Sequence, residues 1–343
     1  MGITIREFHA ADDPAAVALE AACPQGKAIR LRFMRHRFAE RSERYDDVRL
    51  MVAHNGERMV GICGGALKPV LHAGQPATAL FLFDMRVHPS HQRQGIARDL
   101  AEALIEWAKP YASMAYAYAV GDNVAIQGLA QQWIGADAHP ACRILTLDSG
   151  MIARQGAGSA EHSDPVRTQG LYLHTARAKS MLTDMTGLWR DKGLRGSWMR
   201  RLDCSEAATS AFSNEGVLGE TVVRLPLHLT IASYLTRMTG GLDGRLPHIP
   251  AKGEALRSWY LFDFSATSEA AAIDLVRAVA STACADDIRH LHIIAPPDAP
   301  WIGWLRRLQP AWSAPVTPYS IMARDLPGGP RRFERLYVDV RDL

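Results

Sequence analysis

Ala79–Leu104 reads ALFLFDMRVHPSHQRQGIARDLAEAL, and the rest of the chain is organised around it. Leu80–Val87 is dense in apolar, β-branched and aromatic residues, long enough for a buried strand. Pro89 ends it, because proline has no N–H to give a ladder. The polar turn Gln92-Arg93-Gln94-Gly95-Ile96-Ala97 leads into a helix over Arg98–Lys109, where Ile96, Leu100, Leu104 and Trp107 recur at helical spacing. Small residues at Gly95 and Ala97 let another molecule approach the first helical turn. The free N–H groups of that turn and the positive end of the helix dipole form an anion site, with Arg93 and Arg98 beside it. This is an arrangement for gripping a pyrophosphate.

The full string V-x-P-x-x-Q-R-x-G-I-A resembles motif A of the GNAT superfamily of acyl-CoA N-acyltransferases, Q/R-x-x-G-x-G/A. Gln92, Gly95 and Ala97 fill the motif positions. The resemblance implies acetyl-CoA as cofactor, held by residues Gln92, Arg93, Gln94, Gly95, Ile96 and Ala97. Neither a Gly-Lys-Ser/Thr phosphate loop nor a three-glycine dinucleotide fingerprint is present, which speaks against ATP and NAD and against a nucleotide-binding oxidoreductase.

The 343 residues suggest two domains, and 48% hydrophobic content is ample for sizeable cores. A net charge of +3 gives no strong pull toward nucleic acid or anionic membrane. The 5 cysteines are scattered without a C-x-x-C, as in a reducing compartment. The opening MGITIREFHAADD lacks a signal-peptide core, and no apolar run reaches membrane-spanning length. The expected setting is cytoplasmic, with neither nucleic acid nor membrane as partner; oligomeric state is not encoded legibly.

Ile3–Phe8 alternates as a strand, and Asp12-Asp13-Pro14 starts a helix to about Ala22. A basic segment comes next, with Arg30, Arg32, Arg35, His36, Arg37 and Arg41. It reads either as a solvated helical face or as a substrate-side loop that attracts a carboxylate. Val48–His54 and Met59–Leu67 form a hairpin across Asn55-Gly56. After the central strand and helix come a strand at Ser113–Val120, a helical stretch opened by Gly121-Asp122-Asn123 and running to Trp133, and a strand at Ala141–Leu147.

Residues 154–166 are Gly/Ser/acid-rich and aperiodic, as in a linker. Ala176–Trp189 is helical in pattern and Gly216–Leu225 strand-like. Ser258–Phe264, Glu269–Ala285, His290–Ala295, Pro300–Leu308 and Tyr319–Arg324 then repeat the strand–helix–strand–helix–strand order of residues 80–147. Their turn, Ser265-Ala266-Thr267-Ser268, has neither glycine nor arginine. The expected fold class is α/β (α+β): two tandem GNAT-like domains with mixed central sheets flanked by helices, the second degenerate and without a cofactor loop. The expected boundaries are 1–153 for the catalytic domain, 154–166 for the linker and 167–343 for the second domain.

Pro24-Gln25-Gly26-Lys27, the run Arg86–Ile96 and Asp122-Asn123 make the chain similar to the plant Hookless-type proteins and their bacterial relatives within the GNAT superfamily. Vertebrate histidine acetyltransferases resemble the N-terminal half in layout. The resemblance implies that main-chain groups of Met85, Arg86 and Val87 bind the pantetheine and that Asn123 contacts the cofactor arm. It also implies a tyrosine seven residues after that asparagine, to protonate the thiolate; this chain has Ala130 there. Asn123 reads equally as a helix N-cap.

Acyl transfer to an amine requires a held cofactor, a deprotonated amine and stabilised oxyanion and thiolate. Asp84, alone among apolar strand residues, reads either as the general base with a raised pKa or as a carboxylate paired with a neighbouring arginine. Tyr116 and Tyr118 are the substitutes for the missing phenol, or else packing residues. His88 and His91 titrate in a useful range but sit at a surface turn, without metal-ligand company. The implied activity is N-acetylation of a small primary amine, such as an amino acid or biosynthetic intermediate. A protein N-terminus as acceptor, or a catalytically weak acyl-CoA-binding regulator, are the alternatives.

Overall fold

The computed structural model describes residues 2–26, 29–72, 75–121, 123, 128, 138–159, 161–162, 199–203, 206–213, 218–238, 247–326 and 338. The first elements are β1 (Ile3–Glu7), α1 (Asp13–Ala21), β2 (Arg30–Met34), β3 (Asp47–Asn55), β4 (Arg58–His72), β5 (Gln75–Val87), α2 (Ile96–Ala108) and β6 (Met114–Val120). Next come β7 (His139–Asp148), α3 (Ser149–Ala153), β8 (Glu161–His162), β9 (Met199–Asp203), β10 (Ala207–Ser213), β11 (Gly219–Arg224) and α4 (Leu227–Met238). The order closes with β12 (Ala255–Leu256), β13 (Ser258–Ala266), α5 (Glu269–Ala285), β14 (His290–Ala295), α6 (Trp301–Arg306) and β15 (Val316–Asp325). The helical patterns expected from Asn123 to Trp133, which include Ala130, and over Ala176–Trp189 lie outside the described residues.

Local chemistry sets most boundaries. Pro14 sits in the first turn of α1, where a missing N–H costs nothing. Gly56 turns the β3–β4 hairpin at φ 62°. Ser268 caps α5, its hydroxyl accepting from the Ala271 N–H at 3.2 Å. Along α2, Ile96, Leu100, Ala101, Leu104, Ile105 and Ala108 form one buried stripe.

A 12-stranded sheet runs in the order β1-β3-β4-β5-β6-β15-β7-β14-β13-β10-β9-β8. Two of its pairings, β5 with β6 and β13 with β14, are parallel. At the centre the chain crosses over. β15, late in sequence, lies between β6 and β7, and β7 lies between β15 and β14. Each half of the sequence therefore contributes one strand to the other half's side of the sheet. Residues 1–153 and 167–343 share this one sheet, and β8, within 154–166, pairs with β9 at its far edge.

β5 and β13 carry the same irregularity. Asp84 and Met85 oppose Cys63 alone, because the register steps from Gly64↔Phe83 to Ile62↔Arg86. Asp263 and Phe264 likewise oppose Thr209, between Ser210↔Phe262 and Ala208↔Ser265. These are β-bulges, and each places an aspartate in left-handed backbone, φ 51° at Asp84 and 54° at Asp263. The Thr209 hydroxyl donates to the Phe262 carbonyl at 3.1 Å, and the Cys63 thiol lies 3.7 Å from the Phe83 carbonyl. Gly64 gives the Phe83 ring its room: a Cβ there would stand 2.5 Å from the ring. Ladder pairing of β5 with β6 ends at Leu82↔Ala117, just before the bulge, and that of β13 with β14 ends at Leu261↔Ile293.

On one face, α2 packs against Leu80, Leu82 and Ala115, while α5 and α6 pack against Leu145, Leu261 and Ile293. The alternate residues of the same strands, among them Phe81, Tyr116, Ile144, Phe262, Ile294 and Ile321, form one core across the other face. Over that face lies a second sheet, β12-β11-β2, which joins a strand of the first half to two of the second. Here the reading of the basic segment as a solvated helix is corrected. Arg30–Met34 is a strand that exposes Arg30, Arg32 and Met34 and turns Leu31 and Phe33 inward. No helix among the described residues is long and apolar enough to cross a membrane.

Candidate active site

The turn before α2 is built for close approach. Arg93 (φ 62°) and Gly95 (φ 83°) both take left-handed backbone, and Gly95 is the helix N-cap. Glycine has no side chain with which to cap, so the first-turn N–H groups point outward without an intrahelical partner. Gln92, Arg93 and Gln94 are exposed around them, and Arg98 bonds Asp99 at 2.9 Å. Ile96 is buried under the sheet and Ala97 is half-buried. The matching place in the second half is closed. Ser268 caps α5, its hydroxyl also bonds Glu206 at 3.2 Å, and Glu269 pairs with Arg307. Two carboxylates flank a self-satisfied helix end there, which disfavours a phosphate.

Beyond the bulge, Met85 packs with the α2 core and the Val87 carbonyl accepts from Gln92 Nε2 at 3.4 Å. The Asn123 N–H donates to the Val120 carbonyl at 2.9 Å, in the turn that leaves β6. His88 and His91 join Ser90, Arg58 and Asn55 in a network at the β5–α2 turn, outside the sheet.

Asp84 is the corrected assignment. Its side chain is 2% exposed and receives Arg35 Nη1 and Arg41 Nη1, each at 2.9 Å, with Arg86 Nη2 at 3.9 Å. Arg35 turns its other edge to Glu20, through two bonds of 2.6 Å. Burial pushes the Asp84 carboxyl up, but the charges of Arg41, Arg35 and Arg86 outweigh it and hold it well below the usual carboxylate range. A carboxylate with both oxygens taken by guanidiniums and a depressed pKa is a poor proton acceptor. The paired reading therefore stands, and the basic segment does attract a carboxylate, but the protein's own. Arg86 is likewise a side-chain member of this cluster: it reaches Glu20 at 3.3 Å and lies against the Gln25 side-chain amide.

Tyr116 is fully buried against Phe81, ring centres 5.2 Å apart. Tyr118, one step nearer the strand end, is half-buried on the same face, edge-on to Tyr116. Farther along that face lie residues that no motif in the sequence points to. The Tyr260 hydroxyl donates to Glu220 Oε1 at 3.1 Å, the Tyr260 and His292 ring centres are 4.9 Å apart, and His292 Nδ1 is 2.9 Å from the Thr146 hydroxyl. Burial pushes His292 down to about 3 and His290 down to about 4, so both are neutral at pH 7. The signal available in sequence was HLHIIA, where histidines alternate with core residues.

Among the described residues no group of three or more His, Cys, Asp or Glu could hold a metal ion. A large mixed sheet flanked by helices, with a bulged strand running into a glycine-headed helix, is a GNAT-like fold. Within it, residues 16–136 match the model of the Acetyltransferase (GNAT) family. Two solved structures of Saccharomyces cerevisiae N-myristoyltransferase with bound myristoyl-CoA are similar, each with a TM-score of 0.59 over 94% of this chain. One is 9% identical with 78% of its length covered, the other 10% identical with 82% covered. A GCN5-related N-acetyltransferase from Kribbella flavida aligns over 93% of this chain and 70% of its own, at 11% identity and a TM-score of 0.49. No curated protein matches the sequence.

Proposed function

We propose that the protein is an acetyl-CoA-dependent N-acetyltransferase acting on a small primary amine in the cytoplasm. The observation that carries the reading is the uncapped, glycine-headed N-terminus of α2 directly after a bulged strand whose ladder with β6 has just ended. The first-turn N–H groups from Ile96 on, with Gln92–Gln94, would hold the pyrophosphate, and the main chain of Met85–Val87 would hold the pantetheine. When bound, acetyl-CoA supplies the acetyl group as an activated thioester.

The Arg35–Asp84–Arg41–Arg86–Glu20 cluster fixes the bulge and keeps its left-handed backbone in place. Tyr118 is the phenol we assign to the strand end where β5 and β6 part. With Asp84 committed to arginines, the amine loses its proton to water, or arrives free at higher pH. The second half carries a bulge but a closed helix end, so we assign it to walling the acceptor space, without cofactor.

The same commitment of Asp84, together with Ala130, favours a second reading: an acyl-CoA-binding regulator without turnover. Incubation with acetyl-CoA and an amine panel, with release of free thiol as readout, separates the two. Thiol release that depends on the amine supports the enzyme; coenzyme A binding without release supports the regulator.

A further inference from the structure

Helix α4, LHLTIASYLTRM, lies on the body with its faces reversed. A surface helix ordinarily buries its apolar stripe and exposes its polar side. Here Ser233 is the one buried residue, its hydroxyl donating to the Ile249 carbonyl at 2.9 Å. Leu229, Ala232 and Thr236 share that side of the helix and are half-buried. Leu227, Ile231, Tyr234 and Met238, spaced by four, three and four residues, line the opposite side, with Leu235 next to them. Each of the five is more than half exposed. Of nine large hydrophobic residues exposed among the described residues, these five share one helix. An apolar patch so concentrated marks an interaction surface.

The charges around the stripe say what it meets. β11 ends at Arg224, three residues before Leu227, and Arg224 stands directly opposite Arg30 of β2. Arg32 lies two residues farther along the same outward face, and Met34 two beyond that. All four side chains are exposed. Like charges opposed across a ladder destabilise a sheet, and an anionic surface removes that repulsion. At the other end of the helix Arg237 is exposed in the last turn, bonded to Glu254, and Lys252 is exposed two residues before that glutamate. The five apolar side chains offer on the order of 500 Å², short of the ~800 Å² that each partner of a stable dimer buries. A helix lying in the headgroup layer of a membrane needs less. It needs an apolar stripe bordered by basic residues, with an aromatic ring at the boundary.

We propose that α4 and the outward face of β2 and β11 form a docking surface for an anionic phospholipid membrane. The stripe from Leu227 to Met238 enters the acyl boundary, and Arg30, Arg32 and Arg224 take the lipid phosphates. The inference stands apart from the acetyltransferase reading: it uses neither the turn before α2 nor the bulge. The expectation of no pull toward an anionic membrane rested on the net charge of +3, which averages over the chain and is blind to where the arginines gather.

The test is flotation of the full chain with vesicles. Wild type should bind vesicles of phosphatidylcholine with about one-quarter phosphatidylglycerol, and bind pure phosphatidylcholine ~10-fold more weakly or less. Two double variants divide the surface. Ile231→Ser with Tyr234→Ser removes the centre of the stripe, and Arg30→Gln with Arg224→Gln removes the opposed charges. Each should weaken binding to the anionic vesicles by ~10-fold or more. The difference between wild type and the arginine variant should close at ~0.5 M salt. Wild type that stays off anionic vesicles overturns the proposal, and so does unchanged binding in either folded variant. Sedimentation equilibrium without lipid tests the rival occupant, a second copy of the chain. A wild-type dimer that becomes a monomer in the serine variant overturns the membrane assignment; a monomer throughout supports it. Should the serine variant fail to fold, the arginine variant carries the comparison, and full binding there overturns the proposal.

Discussion

Asp84 and Asp263 occupy the same point of two repeated strands. Each comes after a Leu-Phe pair, each has left-handed backbone, and each lies opposite a residue whose side chain approaches the preceding carbonyl. The two bulges differ in the helix that each strand enters. Asp84 leads to a helix headed by a bare glycine, Asp263 to one headed by a serine that caps itself.

The first consequence concerns coenzyme A. Gly95→Val would place a branched side chain in left-handed backbone, where its Cβ would lie 3.3 Å from Arg98 Nη2 and beside the outward N–H groups. Calorimetry should show coenzyme A affinity reduced by ~10-fold or more, about 1.4 kcal/mol. Unchanged affinity in a folded variant would move the cofactor elsewhere.

Stoichiometry is set by the contrast at the two helix ends. Ser268, Glu206 and Glu269 leave the N-terminus of α5 satisfied and negative, so one coenzyme A should bind per chain. Two equivalents in the same titration would refute this. Glu206→Ala with Glu269→Ala should still bind one, because the cap remains.

Asp84→Asn should act on stability. Removing one carboxylate leaves Arg35 and Arg41 facing a neutral amide in a buried site, a loss of ~3–5 kcal/mol. Because the folded pKa is depressed, the contribution is complete above the unfolded carboxylate range near pH 4 and fades only as pH falls through the still lower folded value. Denaturation at pH 7 and pH 5 should therefore give the same deficit, which narrows under strong acid. An Asp84→Asn enzyme with wild-type stability and a selective loss of kcat that recovers at high pH would reinstate it as the base.

His292 predicts the opposite window. Its folded pKa of about 3 lies below the unfolded value near 6.5, so the unfolded chain binds the extra proton. Stability should fall as pH drops below 6.5, by up to about 1.4 kcal/mol per pH unit for this one group. His292→Gln should reduce that slope between pH 6.5 and pH 4 by this group's share, His290 keeping its own. An identical slope in the variant would mean that His292 is protonated in the fold.

Much of the fold was legible in the sequence where the determinants are local. α5 runs over Glu269–Ala285 as its pattern predicts, because a serine cap and an alanine-rich stripe act within a few residues. The turn at Gln92–Ala97 was legible for the same reason. The strand β2 was open to reading too, since Arg30-Leu31-Arg32-Phe33-Met34 alternates, but the density of charge hid the period. The roles of Arg35 and Asp84 were not decidable. Their partners come from α1, the 38–44 segment and β5, and nothing in any one stretch says that they meet. The repeat Leu82-Phe83-Asp84 and Leu261-Phe262-Asp263 was present but reads as ordinary strand until the register shows two bulges. The crossing of β7 and β15 left no mark at all, because an apolar strand looks the same whichever neighbour it finds.

That crossing has a consequence for the order of synthesis. β6 and β7 leave the ribosome well before the strand that joins them, Val316–Asp325. Until then the first half holds two open ladder edges at its centre, both dense in apolar side chains. A chain stopped at residue 153 should keep those edges for good and associate through them, so the nascent protein cannot close its own middle until β15 has been made.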